Sequence, residues 1–555
     1  MTENILVSVA WPYANADIHV GNITGAYLPA DVFARFHRLK GNRVLMVSGT
    51  DAHGTPITVR ADAEGVSAEE VYKRYHHRFL DLFVKFGVTY DLFTTTHTEN
   101  HFKVSQDIFL ALKQNGYLYT QTEKQWYAPG TGRFLPDRYV EGECYICHYP
   151  NARGDQCDHC GSLLDSTQLI NPRAKGGGEL ELRETEHFYL DLGKLAPDLE
   201  RYLSAGKDHW RPNVINRSRQ DVDELRGRPI TRDLDWGIPV PVEGWDGKCL
   251  YVWFEAVIGY FSASIEWSRN NGRPEAWKDW WYDSNAKTYY FIGKDNIPFH
   301  AVIWPAQLIG TRRLYESDPG KTLNLPYDVP ANEFLNLEGQ KISGSRNWAV
   351  WGLDSVERYD PDALRYYLAA IMPETSDSEF SEEDLVRRNN EELVSTWGNL
   401  VNRVLTMTYR SFGGRVPDPG DLRPADRALL QQGEAALASV GASLGACRFR
   451  EGLRGAMAYA QETNRYLNQE EPWKTRASDP AAAARSLYTA IGAIEALKLA
   501  FYPFLPFSSQ RLHAILGHAE PIDANGWRTV LPVAGSALQQ PEPLFKKLEP
   551  LEGAA

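Results

Sequence analysis

At roughly 100–200 residues per domain, a chain of 555 residues holds about three to five domains. Its 43% hydrophobic and 24% charged content exclude a disordered chain and a fibre. The 59 Lys and Arg against 72 Asp and Glu, a formal net charge of -13, exclude a uniformly basic nucleic-acid coat but leave room for a local basic stripe.

Residues 5–11, Ile-Leu-Val-Ser-Val-Ala-Trp, form a near-continuous apolar run, the pattern of a parallel strand covered on both faces. No basic leader precedes it, and no stretch reaches the ~18–20 apolar residues of a membrane span, so a cytoplasmic protein is expected. Pro12 to Asp17 break the run. From Gly21 the spacing of Ile23, Tyr27, Ala30, Phe33 and Phe36 predicts a helix that stops at Gly41. Arg43 to Ser48 reads as a second strand, followed by Gly-Thr-Asp-Ala-His53. Such a βαβ start places ligands at the carboxyl ends of its strands, where His19 and Asp51 fall. The segment 119–228, with a cysteine cluster and a break at Gly176 to Gly178, differs in kind and reads as an insertion into one sheet. The α/β pattern then returns. Thr288 to Ile292 is a strand, Gly293 to Asn296 a turn, and Pro298 onward, through His300, Ile303 and Leu308, a helix. Beyond about 385 the strands vanish. Leu393, Trp397, Leu400 and Val404 form one helical stripe, and Leu453, Met457, Ala460 and Leu467 another. The alanine-rich 481–499 is a third, and together they predict a helical bundle. The last fifteen or so residues are expected to form a loose tail.

Four of the six cysteines are concentrated in Cys144-x2-Cys147 and Cys157-x2-Cys160. Two thiolates three residues apart can reach one ion, and two such turns complete a tetrahedron. With every position filled by sulfur, the site is closed and structural, which points to one zinc per chain. The alternative is four ordinary thiols in a surface loop; His148 and His159 are read as bystanders. His19 and Gly21 stand at a strand-to-helix turn, where backbone N–H groups can approach a nucleotide. The stretch Glu338 to Arg346 is a mobile Gly/Ser/Lys loop able to bring charge to phosphates. Each of these two is weak alone. In the bundle, Asn399 and Arg403 share a helix face, and Trp473 follows Pro472 just after a helix. A polar pair beside an aromatic can bind unpaired bases or can simply be a solvated face.

In this order and separation the pieces resemble the class I aminoacyl-tRNA synthetases, with His19-Val-Gly-Asn22 as first signature and Lys341-Ile-Ser-Gly-Ser345 as second. Within that class the chain is similar to the methionyl-tRNA synthetases. The matching stretches are Pro12-Tyr13-Ala14-Asn15, Asp51 to Pro56, Tyr251 to Ala256 with Ile258-Gly-Tyr260, and Phe291 to Asp295 with Phe299-His300. The four-cysteine insertion and the pairing of Asn399 and Arg403 with Pro472-Trp473 complete the likeness, which spans almost the whole chain. Asn22 stands where the best-known first signature has His, and Gly344 where many second signatures have another Lys.

The resemblance implies an α/β fold: a Rossmann-like parallel-sheet catalytic domain, 1–118 and 229–320, split by the zinc-bearing insertion 119–228. A linker domain, 321–384, an α-helical anticodon-binding bundle, 385–535, and the tail, 536–555, follow. It further implies activation of L-methionine with ATP to methionyl-adenylate and pyrophosphate, then transfer to tRNA(Met). His19, Asn22 and Lys341 are the expected catalytic residues. Together with Gly21, Gly293, Asp295, Ser343, Gly344 and Ser345 they would bind ATP, accompanied by Mg²⁺. Tyr13, Asp51, Trp253, Ala256, Tyr260 and His300 would bind methionine, with Arg232 a partner for nearby acids. Asn399, Arg403 and Trp473 would read the anticodon, and a monomer is expected. Three alternatives stand at this point: a class I synthetase for another amino acid, a tRNA-independent ligase on the same fold, and an inactive RNA-binding relative.

Overall fold

The computed structural model describes residues 2–136, 139–154, 157, 159–160, 162, 164–223, 225–342 and 348–549. Its centre is a five-stranded, wholly parallel sheet in the order Ala331–Asn332, Lys287–Gly293, Asn4–Val9, Arg43–Thr50, Leu92–Thr95. Asn4–Val9 lies in the middle, with Val7 opposite Tyr289 on one side and Met46 on the other. Ile5, Leu6, Val7 and Val9 are all fully buried, as a strand covered on both faces requires. The chain leaves this strand in one direction to Arg43–Thr50 and returns after the insertion on its other side. The switch point of the sheet therefore falls between Asn4–Val9 and Lys287–Gly293, and a crevice opens at their carboxyl ends.

The expected first helix is present as three continuous segments, Val20–Asn22, Ile23–Tyr27 and Leu28–Leu39, the middle one wound as a π-helix. The insertion is built on the long antiparallel pair Leu118–Ala128 and Glu181–Leu190, registered from Leu118 opposite Leu190 to Tyr127 opposite Glu181. A small sheet of Val140–Glu143, Ala152–Arg153 and Ile170–Ala174 holds the cysteines at its end. C-terminal to Ser378–Phe380, every named element of the described residues is helical. The bundle packs Pro424–Gly445, Phe449–Glu470 and Pro480–Phe501 around one another. Among the described residues no helix is long and apolar enough to cross a membrane.

Bundle and sheet are joined by a buried charge cluster. On the helix Pro361–Ala370, Arg365 donates to Asp31 Oδ2 at 2.7 Å, to the carbonyls of Pro503 and Phe504 at 2.9 and 2.7 Å, and to that of Phe86 at 3.2 Å. Asp31 also pairs with Arg35 at 2.8 Å, and both the Asp31 and Arg365 side chains are fully buried.

The loose tail is not what the structure shows. Leu544 and Phe545 are buried, and Phe545 packs against Gly398, where an added Cβ would stand 3.2 Å from its ring. Arg511 caps the Leu544 carbonyl, Asn389 that of Lys546, and Asn390 both accepts from and donates to Leu548. Side-chain amides from the bundle satisfy an extended backbone, and its own Pro- and charge-rich sequence conceals that. Residues 550–555 lie outside the described residues.

Candidate active site

The crevice at the switch point contains a cavity of about 440 Å³. Its walls carry Tyr13, His19, Gly21, Asn22, Asp51, Trp253, Ala256, Tyr260, Gly293, Asp295, His300 and Lys341, so one cavity gathers every described residue expected at the ATP and methionine sites. Ser343, Gly344, Ser345 and Arg346 lie outside the described residues.

His19 is the N-cap of the first helix. Its Nδ1 accepts from the backbone N–H of Asn22 at 3.2 Å, and the Asn22 side-chain oxygen accepts from the His19 backbone N–H at 3.2 Å. This reciprocal cap gives Asn22 a local task that its amide oxygen serves well. It also fixes the imidazole. Burial, with the Lys341 charge added, lowers the His19 pKa to about 4, so the ring is neutral. With Nδ1 accepting, the proton sits on Nε2, which is left as a donor. Gly21 is needed because a Cβ there would stand 2.9 Å from His19 Nδ1.

The second signature begins as a hairpin. Leu335–Leu337 pairs with Gln340–Lys341 across a turn in which Glu338 and Gly339 have φ of 51° and 71°. Lys341 Nζ lies 3.9 Å from Asp295 Oδ2 and 3.7 Å from the Phe334 ring centroid. Downstream, Val20 N–H donates to the Val350 carbonyl and Gly352 N–H to that of Ile18, anchoring the loop's far end beside His19. Lys294, one residue from Asp295, is held at 2.7 Å by both Glu333 and Asp377.

At the other end of the cavity Tyr13 meets Trp253 edge-on at 5.8 Å, and Trp253 stacks on Phe299 at 4.1 Å. Tyr260 and His300 are buried and 2.7 Å apart, while His300 Nδ1 is 3.0 Å from the Asn296 carbonyl. Burial lowers the His300 pKa to about 4, so its one ring proton is spent on Asn296 and Nε2 accepts from the Tyr260 hydroxyl. Trp11 wedges beneath them. Added Cβ atoms at Gly49 and Gly259 would come within 2.1 and 2.6 Å of its ring, which accounts for the glycine between Ile258 and Tyr260. Asp51 is buried, and burial first, then the charge of Glu255, raises its pKa well above the usual carboxylate value.

Arg232 departs from expectation. Its guanidinium donates to the Thr231 carbonyl at 2.9 Å and lies over Tyr251, in an adjoining cavity of about 190 Å³; among the described residues it makes no ion pair. Phe334 carries no signal in the sequence pattern, and Glu255 with His53 and His101, which stand beneath Asp51, carries little. Glu255 sits between two recognised pocket residues, and an acid inside the apolar stretch Val252 to Ile258 was the available signal.

The family described as tRNA synthetases class I (M) matches residues 5–405, and that described as anticodon binding domain of methionyl tRNA ligase matches residues 416–554. The chain belongs to the methionyl-tRNA synthetase family. It is similar to the methionine–tRNA ligase of Thermomicrobium roseum, 53% identical over 99% of this chain and 97% of that one. It is also similar to that of Dehalococcoides mccartyi, 52% identical over 99% and 98%. The solved structure of Mycobacterium tuberculosis methionyl-tRNA synthetase in complex with methionyl-adenylate superimposes with a TM-score of 0.81 at 26% identity, covering 98% of this chain and all of that one. The expected fold, activity and ligase class agree with that membership.

Two further groups of residues expected from the sequence lie outside this cavity. The four cysteine sulfurs lie within 4.8 Å of one another, and Cys147 Sγ is 3.6 Å from Cys157 Sγ. A tetrahedral ion with bonds of about 2.3 Å needs sulfurs about 3.8 Å apart, so this donor set fits one metal. Backbone N–H groups of Ile146 and Cys147 donate to Cys144 Sγ, as suits a thiolate. His148 turns to Glu143 and His159 stacks on Tyr149, so neither joins the cluster. On the bundle, Asn399 is exposed, and Arg403 on the same helix lies 4.8 Å over the Trp473 ring.

Proposed function

We propose that this chain activates L-methionine with ATP and transfers the methionyl group to tRNA(Met), with the residues of the switch-point cavity in the roles that follow. The observation that carries this reading is the single cavity joining both class I signatures to an aromatic pocket with one buried carboxylate. Attack of a carboxylate on the α-phosphorus leaves the protein mainly positioning and charge stabilisation. His19 Nε2–H donates to a phosphate oxygen without adding charge. Lys341 meets the pyrophosphate, and Gly293 and Asp295 hold the nucleoside. Asp51 takes the substrate ammonium in a charge-assisted bond, and its carboxyl ionises as that cation arrives. The Tyr260–His300 pair, neutral and with its ring proton spent, offers an uncharged floor beside Trp253 that suits a thioether. Among the described residues only the cysteines cluster as metal ligands, so Mg²⁺ would be carried by the ATP phosphates. The same proposal takes the protein as a monomer acting in the cytoplasm. The test is ATP–pyrophosphate exchange, expected to depend on L-methionine and to be far weaker with leucine or valine. Exchange without that preference would overturn the assignment.

Zinc is the proposed occupant of the cysteine cluster, where it would fix the insertion without touching substrate. Protein prepared without chelator is expected to hold about one equivalent of zinc, and Cys144→Ala to lose it while methionine still binds. Less than about half an equivalent in the unaltered protein would refute the site.

Asn399, Arg403 and Trp473 are proposed to read the anticodon. Trp473→Ala or Arg403→Ala is expected to cost ~1–3 kcal/mol in tRNA charging, the size of one base-stacking contact, with exchange unchanged. Because Arg403 already lies over the Trp473 ring, the double variant should lose less than the sum of the two. Equal losses in charging and exchange would make both residues structural.

A further inference from the structure

Beneath the methionine end of the cavity lies a hydrogen-bonded cluster that the proposed function leaves unused. Glu255, fully buried, ends the short helix Val252–Glu255 that carries Trp253. Its Oε1 is 2.8 Å from His53 Nδ1, and its Oε2 is 2.7 Å from His101 Nε2 on the helix Glu99–Gln114. The far nitrogens are also occupied: His53 Nε2 lies 3.0 Å from His97 Nδ1, and His101 Nδ1 lies 2.8 Å from Ser262 Oγ. One assignment of hydrogens satisfies all four contacts with neutral rings. Each ring donates to the carboxylate, His97 donates to His53, and the Ser262 hydroxyl donates to His101, its shorter contact, in preference to the Gly259 carbonyl at 3.1 Å.

Glu255 is then a carboxylate held by two donors, and among the described residues no Lys or Arg pairs with it. The same cluster grips Asp51, because the His53 backbone N–H donates to Asp51 Oδ1 at 3.3 Å. Two buried carboxyl groups thus meet at one cluster, and among the described residues no Lys or Arg pairs with either. Such an arrangement is costly until a cation enters.

We infer that Glu255 is a positioning residue for the methionine ammonium: through His53 it locks the Asp51 segment to the Trp253–Ala256 wall, and its buried negative charge joins that of Asp51 in holding a primary ammonium once the cation has entered the cavity. The inference rests on the proposed methionine site and says which group of the substrate the cluster serves. It is chemically specific. A Gln at 255 can accept from only one of the two rings. Its amide N–H faces the other, which must change tautomer, and His97 or the Ser262 hydroxyl must then turn from donor to acceptor.

In Glu255→Gln the KM for L-methionine in exchange is expected to rise about tenfold, with kcat and the KM for ATP within about twofold, the pattern of lost uniform substrate binding. The dissociation constant of L-methioninol, which keeps the ammonium and lacks the carboxylate, should rise by the same factor. Glu255→Asp, which keeps the charge, should restore most of the affinity. Should Glu255→Gln fail to fold, Ser262→Ala removes only the hydroxyl that orients His101 and should give a smaller loss with the same split. An unchanged KM for methionine, a parallel loss in kcat and ATP, or methioninol binding that does not weaken would overturn the inference. An unaltered protein that shows no methionine-dependent exchange would instead overturn the methionine reading itself.

Discussion

Lys341→Ala is expected to slow methionyl-adenylate formation by about 10²–10³-fold, ~2.7–4 kcal/mol, the usual cost of one preorganised charge at a developing anion. Methionine binding should barely change, because the contact is made mainly in the transition state. The structure strengthens the assignment by removing a competitor. Lys294 lies close by but is tied between Glu333 and Asp377, so its charge is already neutralised. Lys341, by contrast, is half exposed, rests on the Phe334 face, and among the described residues has one ion pair to break, a long 3.9 Å approach to Asp295. Lys294→Ala is therefore expected to be the milder change. By its resemblance to the second signature, Gly344 stands where another Lys would fall, so Gly344→Lys should raise the activation rate if charge is what limits the step. Single-turnover adenylate formation measures all three, and an unchanged rate in Lys341→Ala would remove that residue from the mechanism.

The parallel sheet and its switch point were legible because buried strands announce themselves as apolar runs, and Ile5 to Val9 is one. The two signatures were legible only together: His19-Val-Gly-Asn22 is common by chance, and its meaning comes from Lys341 more than three hundred residues away. What sequence could not deliver is the use made of each polar group. The reciprocal cap between His19 and Asn22 fixes a tautomer, and a tautomer leaves no mark in composition. Arg232 was expected as a partner for nearby acids; on the short strand Thr231–Arg232 it lies over Tyr251 instead. The docked segment 541–549 was illegible for the opposite reason. Its anchors, Asn389 and Asn390, lie about 150 residues earlier and look like ordinary helix polars.

Arg365→Ala is expected to be the most destabilising substitution outside the cavity, by about 3–5 kcal/mol, because it strands a buried partner rather than merely deleting a contact. Asp31 would keep Arg35 as its cationic partner and Thr89 as its other donor, and the carbonyls of Pro503 and Phe504 would lose their donor at the point where bundle meets sheet. Two consequences separate this from ordinary core damage. First, burial alone drives the Asp31 carboxyl up, but Arg35 and Arg365 together more than reverse it and hold it well below the usual carboxylate range. A depressed carboxyl contributes its stability fully above its unfolded value of about 3.9 and loses it as the pH falls through the folded value. The gap between the unaltered protein and the variant should accordingly be full at neutral pH and close only in strong acid. Second, exchange requires the cavity alone, whereas charging requires the bundle to be held at a fixed distance and angle from it. Under conditions where the variant is folded, charging should fall further than exchange, and Arg365→Lys, which keeps the charge but spans fewer acceptors, should lie between. Denaturant titrations at several pH values, with both assays in parallel, measure this. A variant whose stability gap does not change with pH would show that the Asp31 pairing is not what Arg365 supplies.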